Sequence, residues 1–532
     1  MLHAHLPYVH HPEHESFFEE NWLFEAITEC YLPLIKVFER LAADHIPFRI
    51  TLSLSPTLLT MLQDGLLQQR YLKHMERLLA LTEKEIQRTR REPAFNGLAR
   101  WYQQMFSETV LLFKNRYKKN LVNAFKKLQK AGFLEIITTS ATHAFLPLLK
   151  PCPSSVRAQV FTGLEYCRSV FGAAPPGIWL PECGYYPGLE TVLQEAGYRY
   201  FFLDTHGIIN ADSQPRYGSY APVACPNSMA SFCRDKESSR QVWSSQEGYP
   251  GDFAYREYYR DIGFEQDTAH LAPLSSDGTA RMPTGIKYYR ITGRHDQKEP
   301  YDPQAAQEKA ALHAAHFLAC RQEEISCQAN RMDRPPLVVA PFDAELFGHW
   351  WFEGPQWLDA LIRKIAGEQD TLELITPSDY LQAHPVLQMA APSASSWGYL
   401  GYNEVWLNST NDWIYPYLHS ASLHMEKLAA EQRPRRGSRP DRALKQAARS
   451  LLLAQASDWP FIMKTGTTIA YARSRIRDHL ARFHYLAKSI DVKKIDELRL
   501  SALETMDDIF PDIDYRHFCP PHHIKDDRGA AW

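Results

Sequence analysis

What most constrains the fold of this chain is a set of short apolar runs, each ending in a polar or charged residue and most separated by helix-length stretches. The runs cover 2–6, 48–54, 134–140, 178–182, 198–204, 286–292 and 337–343, with a further candidate at 372–376. A strand covered on both faces reads as a short, continuous apolar run. Such strands alternating with helices give a parallel α/β sheet or barrel. In α/β barrels the chemistry is placed where the strands end.

Two of the runs that end in carboxylates have tryptophans close by. One is Gly177-Ile178-Trp179-Leu180-Pro181-Glu182-Cys183-Gly184-Tyr185. The other is Val338-Val339-Ala340-Pro341-Phe342-Asp343-Ala344-Glu345, followed by Leu346-Phe347-Gly348-His349-Trp350-Trp351. A carboxylate pair at one barrel end suits glycosidic bond chemistry, one acting as nucleophile or base and the other as proton donor. Neighbouring rings can hold the C–H-rich faces of sugars. Asp343 ends the second run and is the preferred acid, while Glu345, two residues on, would share its face in a strand and could orient a neighbour.

Other positions follow the same logic. His3 and His5 share a strand face. They could form a metal pair, but no carboxylate or third histidine stands nearby in sequence, and polar contact to a sugar or a catalytic carboxylate is the better reading. His143, Asp204 and His206 follow strand ends and are candidate pocket residues. The stretch from Trp397 through Trp406 to Asp412 and Trp413 mixes rings, amides and a carboxylate, a composition fit for sugar subsites. His517, Cys519, His522 and His523 lack the paired spacing of zinc fingers.

The 77 or so residues between the second and third runs are too long for one crossover and are charged and Leu-rich, with helix-prone stretches at 68–87 and 102–130. They read as a helical insertion. Residues 211–252, rich in Ser, Pro, Gly and Tyr, read as a long functional loop. Beyond residue 377 the pattern turns helical, at 403–430 and 441–508. The expected domains are a barrel from 1–56 and 133–390, an insertion at 57–132 and a C-terminal helical domain at 391–532.

At 532 residues and a formal charge of -3, the chain can bury a large core and shows no bias towards nucleic acid or anionic membranes. No run suggests a transmembrane helix or secretory signal. Nine scattered cysteines suit reduced thiols and a cytoplasmic setting. A monomer is the favoured state.

Five blocks in order, His-Ala-His-Leu-Pro-Tyr (3–8), 132–144, Trp-Leu-Pro-Glu-Cys-Gly-Tyr (179–185), 342–355 and 396–413, resemble glycoside hydrolase family 57 and within it the α-1,4-glucan branching enzymes. Ser457-Asp458-Trp459 extends the likeness into the helical region. The resemblance implies an incomplete (β/α)7 barrel with a helical insertion and a C-terminal helical domain. It implies Glu182 as nucleophile and Asp343 as general acid/base. It implies an α-1,4-glucan substrate, with Trp22, Trp397 and Trp406 as glucan contacts and Asp458 at the site. It implies no cofactor or metal. The 211–252 segment would be the shielding loop, with Tyr217 or Tyr220 at its working end. An α-amylase or 4-α-glucanotransferase of the same fold, or a non-catalytic glucan-binding protein, are the alternatives. Only Met1 and Leu2 precede His3, so the first strand looks clipped relative to the family.

Overall fold

The computed structural model describes residues 1–244, 247–274 and 281–520. Its strands are β1 (Leu2–Ala4), β2 (Ile50–Leu54), β3 (Leu134–Ile137), β4 (Gly177–Ile178), β5 (Tyr200–Leu203), β6 (Val223–Ala224), β7 (Ala230–Cys233), β8 (Phe342–Asp343) and β9 (Gln388–Met389). One sheet runs β3-β2-β1-β8 and the other β4-β5-β7-β6-β9. A parallel bridge from Thr138 to Ile178 joins them. On the far side Asp235 N–H donates to Val339 O at 2.7 Å, linking the end of β7 to the stretch before β8. Seven parallel strand positions therefore curl round in the order 8-1-2-3-4-5-7, an incomplete (β/α)7 barrel, with β6 antiparallel to β7 on its flank.

Residues 286–292 form only isolated bridges, and 372–376 run extended without a ladder. The run at 337–343 pairs regularly only at its end. Pro335 and Pro336 precede it and Pro341 interrupts it, and proline cannot donate to a ladder. The strand that takes the vacant place is β7, within the segment read as a loop. Its Ala-Ser-Phe-Cys is short and partly polar, yet all four residues are buried, because the barrel covers both faces. The same segment holds β6 and the helix Lys236–Trp243.

β1 is short but paired on both sides. Leu2, His3 and Ala4 register with Leu52, Ser53 and Leu54, and His3 also with Asp343. Met1 extends the edge, with its ammonium on Ala340 O at 3.0 Å and Phe342 N–H on its carbonyl at 3.1 Å. Burial pushes that amine down to about 5.

The stretch after β2 is helical. Ser55 caps Pro56–Gln63, and Asp64 caps Gly65–Arg88 by accepting Leu67 N–H at 2.7 Å. The latter packs on Pro93–Leu111. C-terminally, Tyr415–Glu431, Arg439–Ala454, Asp458–Thr465, Ile469–Asp491 and Glu497–Met506 form a helical cluster. Residues 403–414, expected to be helical, are turns that end in the short 3-10 helix Asp412–Ile414. Their apolar side chains pack with those of the barrel in one continuous core. Helix Pro153–Phe171 crosses close behind β3: a Cβ on Gly163 would stand 2.6 Å from Thr139 O, so a larger residue would push the helix off the strand end that leads to His143. No helix of the described residues is long and apolar enough to cross a membrane.

Candidate active site

The register of β1 decides the first layer of the site. His3 stands between Ser53 on β2 and Asp343 on β8, and neighbours in register share a sheet face. The next layer comes from three turns pressed together. Ser457 N–H donates to His143 O at 3.0 Å, and Ala144 bridges Ala456, so the C-terminal cluster inserts the start of a helix beside the end of β3. Trp397 N–H donates to Glu182 O at 3.0 Å, and Ser395 pairs with Tyr185. Glu182 itself lies at φ 61°, ψ 23°. A glutamate in the left-handed region is strained by about 1–3 kcal/mol and persists only where its surroundings hold it.

A chain of hydrogen bonds ends on Glu182. Ser457 Oγ–H donates to Oε1 at 3.0 Å. Its one proton spent, Ser457 must accept from His143 Nδ1–H at 2.9 Å. His143 Nε2 then accepts from His3 Nε2–H at 2.9 Å, and His3 Nδ1 accepts from Ser53 Oγ–H at 3.0 Å. One serine hydroxyl thus fixes both tautomers. Both histidines are buried and held well below the usual imidazole range, by burial first and then by neighbouring histidines, so they serve as neutral donors and acceptors. The other carboxylate oxygen, Oε2, accepts Trp397 Nε1–H at 2.8 Å. Burial raises the pKa of Glu182, with Asp458 adding to it, while the Trp397 and Ser457 donors and His5 oppose.

Asp343 has the opposite surroundings. Among the described residues none hydrogen-bonds its carboxyl. Burial, then the charges of Glu345 and Glu182, hold it well above the usual carboxylate range, against a smaller pull from Arg234. Glu345 accepts Tyr31 O–H at 2.5 Å and His5 N–H at 3.2 Å, and burial lifts it to about 7. Tyr31 belongs to the π-helical turn Ala26–Tyr31, a distortion frequent at functional sites.

His5 stacks on His143 with ring centroids 3.8 Å apart, and its Nε2 is 3.0 Å from Asp458 Oδ1. Burial would lower its pKa, but Asp458, Glu345 and Glu182 raise it overall. Both ring nitrogens of His3 are taken by Ser53 and His143, whereas His5 has Nε2 on Asp458 and a buried Nδ1 with no hydrogen-bond partner among the described residues. Asp204 accepts Arg234 Nη1–H at 3.0 Å and lies 3.3 Å from His206 Nδ1, while His206 Nε2–H reaches Gly401 O at 2.7 Å. Arg234 in turn lies 5.4 Å from the Trp397 ring centre. These two residues therefore support the Trp397 loop.

Other expected site residues stand farther out. Trp22 is partly buried, edge-on to Tyr471. Trp413 faces Arg477, and Asp412 is exposed. Trp406 is 1% exposed and stacked on Phe145 at 4.2 Å: it shapes the floor beneath Gly398 and offers no open face. The structure takes Tyr220 elsewhere. Its hydroxyl donates to Glu324 on helix Pro303–Ala329, and its carbonyl accepts Leu337 N–H, because the segment around it is tied into the barrel flank. Tyr217 packs against Arg216 and Arg334 there. His517 pairs with Glu165 and Cys519 with Ala429 O; His522 and His523 lie outside the described residues. Ser53, Ser457, Tyr31 and Arg234 carry the site and were not singled out from sequence. Ser457 adjoins Asp458, but nothing in a serine's neighbours announces that its hydroxyl reaches a carboxylate 275 residues away.

The match to known proteins agrees with this architecture. The model of glycosyl hydrolase family 57 matches residues 1–392, and that of the C-terminal region of 1,4-alpha-glucan branching enzymes matches residues 417–518. The chain belongs to glycosyl hydrolase family 57. It is 32% identical to a 1,4-alpha-glucan branching enzyme of Thermococcus kodakarensis, over 96% of this chain and 76% of that one. The branching enzyme structure from Pyrococcus horikoshii superposes with a TM-score of 0.88 at 31% identity, covering 98% of this chain and 97% of that one. The structure of an alpha-amylase from Thermotoga maritima superposes with a TM-score of 0.91 at 43% identity, covering 98% of each.

Proposed function

We propose that this chain is a retaining 1,4-α-glucan branching enzyme, with Glu182 as nucleophile and Asp343 as general acid/base. The observation that carries the roles is the contrast between the two carboxyl groups. Glu182 is gripped by two donors, which favour and aim its charged form. Asp343, half-buried, without a donor among the described residues and facing like charges, keeps its proton. Environments that push two carboxyl groups apart assign acid and nucleophile.

An α-1,4-linked chain lies across the strand ends. Glu182 attacks the anomeric carbon as the glycosidic bond breaks, and the Asp343 proton passes to the departing O4. The bond formed is a glucosyl ester on Glu182. Asp343, now a carboxylate, then takes the proton from an incoming hydroxyl, whose oxygen displaces Glu182 with a second inversion. If that hydroxyl is a glucan 6-OH the product carries an α-1,6 branch; if it is water, the chain is hydrolysed. Exclusion of water decides between them. The match of residues 417–518 to the branching enzyme C-terminal region supports transfer.

The 43% identity to a structure described as an alpha-amylase favours a second reading, hydrolysis, on the same carboxylates. Incubation with amylose, debranching with isoamylase and chain-length analysis separates the two. New short chains released only after debranching mean transfer. Reducing ends without new branches mean an amylase.

A further inference from the structure

Three ring residues in a row, His349, Trp350 and Trp351, follow the loop that leaves β8, and the fold treats the middle one differently. Gly348 sits at φ +110°, and a Cβ there would lie 1.7 Å from Glu29 O. The loop is therefore pressed onto the π-helical turn Ala26–Tyr31. His349 is held inward, with Nδ1 2.8 Å from Glu29 Oε2 and Nε2 3.3 Å from the Tyr258 hydroxyl. Trp351 is 1% exposed, whereas Trp350 is turned outward and 51% exposed.

Trp350 meets a second indole there. Trp243, the last residue of helix Lys236–Trp243, lies parallel to it, with ring centroids 5.7 Å apart and planes 18° apart. That helix is itself fixed. The buried Asp235 caps it, accepting Ser238 N–H at 2.6 Å, and pairs with the buried Arg321 at 3.3 Å. The two tryptophans thus stand on a helix end and a loop that follow the neighbouring strands β7 and β8, the second of which ends in Asp343.

Isolated exposed rings are ordinary. Here a capped helix and a separate loop hold a parallel pair in place. Two indoles cover about 300–500 Å² at most, less the faces they turn to each other, which is well short of the roughly 1,000 Å² of a stable protein interface but enough for the flat face of a sugar ring on the exposed Trp350 side. We propose that Trp243 and Trp350 form a stacking platform for an outer segment of the α-1,4-glucan chain, separate from the Trp397 side of the cleft. The platform rests on the reading of this chain as an α-glucan enzyme.

Its test compares wild type with Trp243→Ala, Trp350→Ala and Trp350→Phe, on long amylose and on maltooligosaccharides too short to reach beyond the cleft. The expected result is a KM for amylose raised about fivefold to tenfold in both alanine variants, with kcat and the short-substrate kinetics unchanged. Trp350→Phe should recover most of the loss. An unchanged amylose KM in Trp243→Ala overturns the platform while leaving the α-glucan activity standing. Equal losses on long and short substrates also overturn it, since they mark a disturbed catalytic loop. A folded wild type that turns over neither substrate sinks both readings.

Discussion

Glu182 and Asp343 sit at the same end of one barrel, and the protein surrounds them in opposite ways. On the Glu182 side, Ser53, His3, His143 and Ser457 pass hydrogen bonds inward in one direction, and Trp397 closes the other oxygen. On the Asp343 side no donor reaches the carboxyl among the described residues; instead Glu345, braced by Tyr31, raises its pKa whenever Glu345 itself is charged. One carboxyl is positioned by directional bonds and the other tuned by field and burial. The lesson is that withholding partners from a carboxyl tunes it as strongly as supplying them. The strain follows the same division: Glu182 takes the left-handed backbone, while Asp343 enters with extended φ/ψ at the end of β8.

The comparison is broken outright by removing either carboxylate. Glu182→Gln should lose at least a thousandfold in kcat, and Asp343→Asn at least a hundredfold, with glucan binding retained in both. A Glu182→Gln enzyme keeping more than about a hundredth of wild-type turnover would show that the nucleophile lies elsewhere.

Breaking the wired side alone is the next largest effect. Ser457→Ala removes one donor from Glu182 and interrupts the chain from His143, and should cost about tenfold to a hundredfold in kcat. A donor to the charged form lowers a carboxyl pKa, so its loss raises that of Glu182. The acid limb of kcat/KM against pH should move to higher pH; a limb that stays in place would mean the serine does not act on Glu182.

The field on the other side is sharpened by Glu345→Gln, which keeps an acceptor for Tyr31 and His5 but discards the charge. Asp343 then loses a like-charged neighbour, its pKa falls, and the alkaline limb should shift down by about one pH unit. Near pH 5, kcat should change only a few-fold. Stability offers a separate reading of the same residue. Glu345 titrates at about 7 in the fold and near 4.3 unfolded. The native state therefore binds the extra proton between those values, and stability falls as pH rises from roughly 4 to 7. The glutamine variant escapes this loss, so its Tm should exceed wild type at pH 8 and match it near pH 4. Equal melting at both pH values would show that Glu345 is not held as a buried acid.

Much of the fold and the pair of carboxylates can be read from the chain. Apolar runs ending in polar residues place β1 to β5 and the end of β8, because a strand covered on both faces must be apolar and short. Glu182 and Asp343 stand out because each closes such a run beside tryptophans. The helical insertion and C-terminal cluster are legible from charge and leucine spacing. β7 was not legible, since Ala-Ser-Phe-Cys carries little strand signal and is buried only because its neighbours are. Nor was the burial of Trp406, the departure of Tyr220 to Glu324, or the reach of Ser457 to Glu182.

The physical reason is one of range. Periodicity, capping and apolar length act over a few residues, and the sequence by itself determined what depends on them: the barrel class, the strand-end acids, the ring-rich surroundings. Which nitrogen of His3 carries a proton, which carboxyl is gripped by donors, and which of three neighbouring rings faces outward depend on groups up to hundreds of residues apart. Only the tertiary structure, by bringing β1, β8 and the helix at Asp458 around one site, decided those.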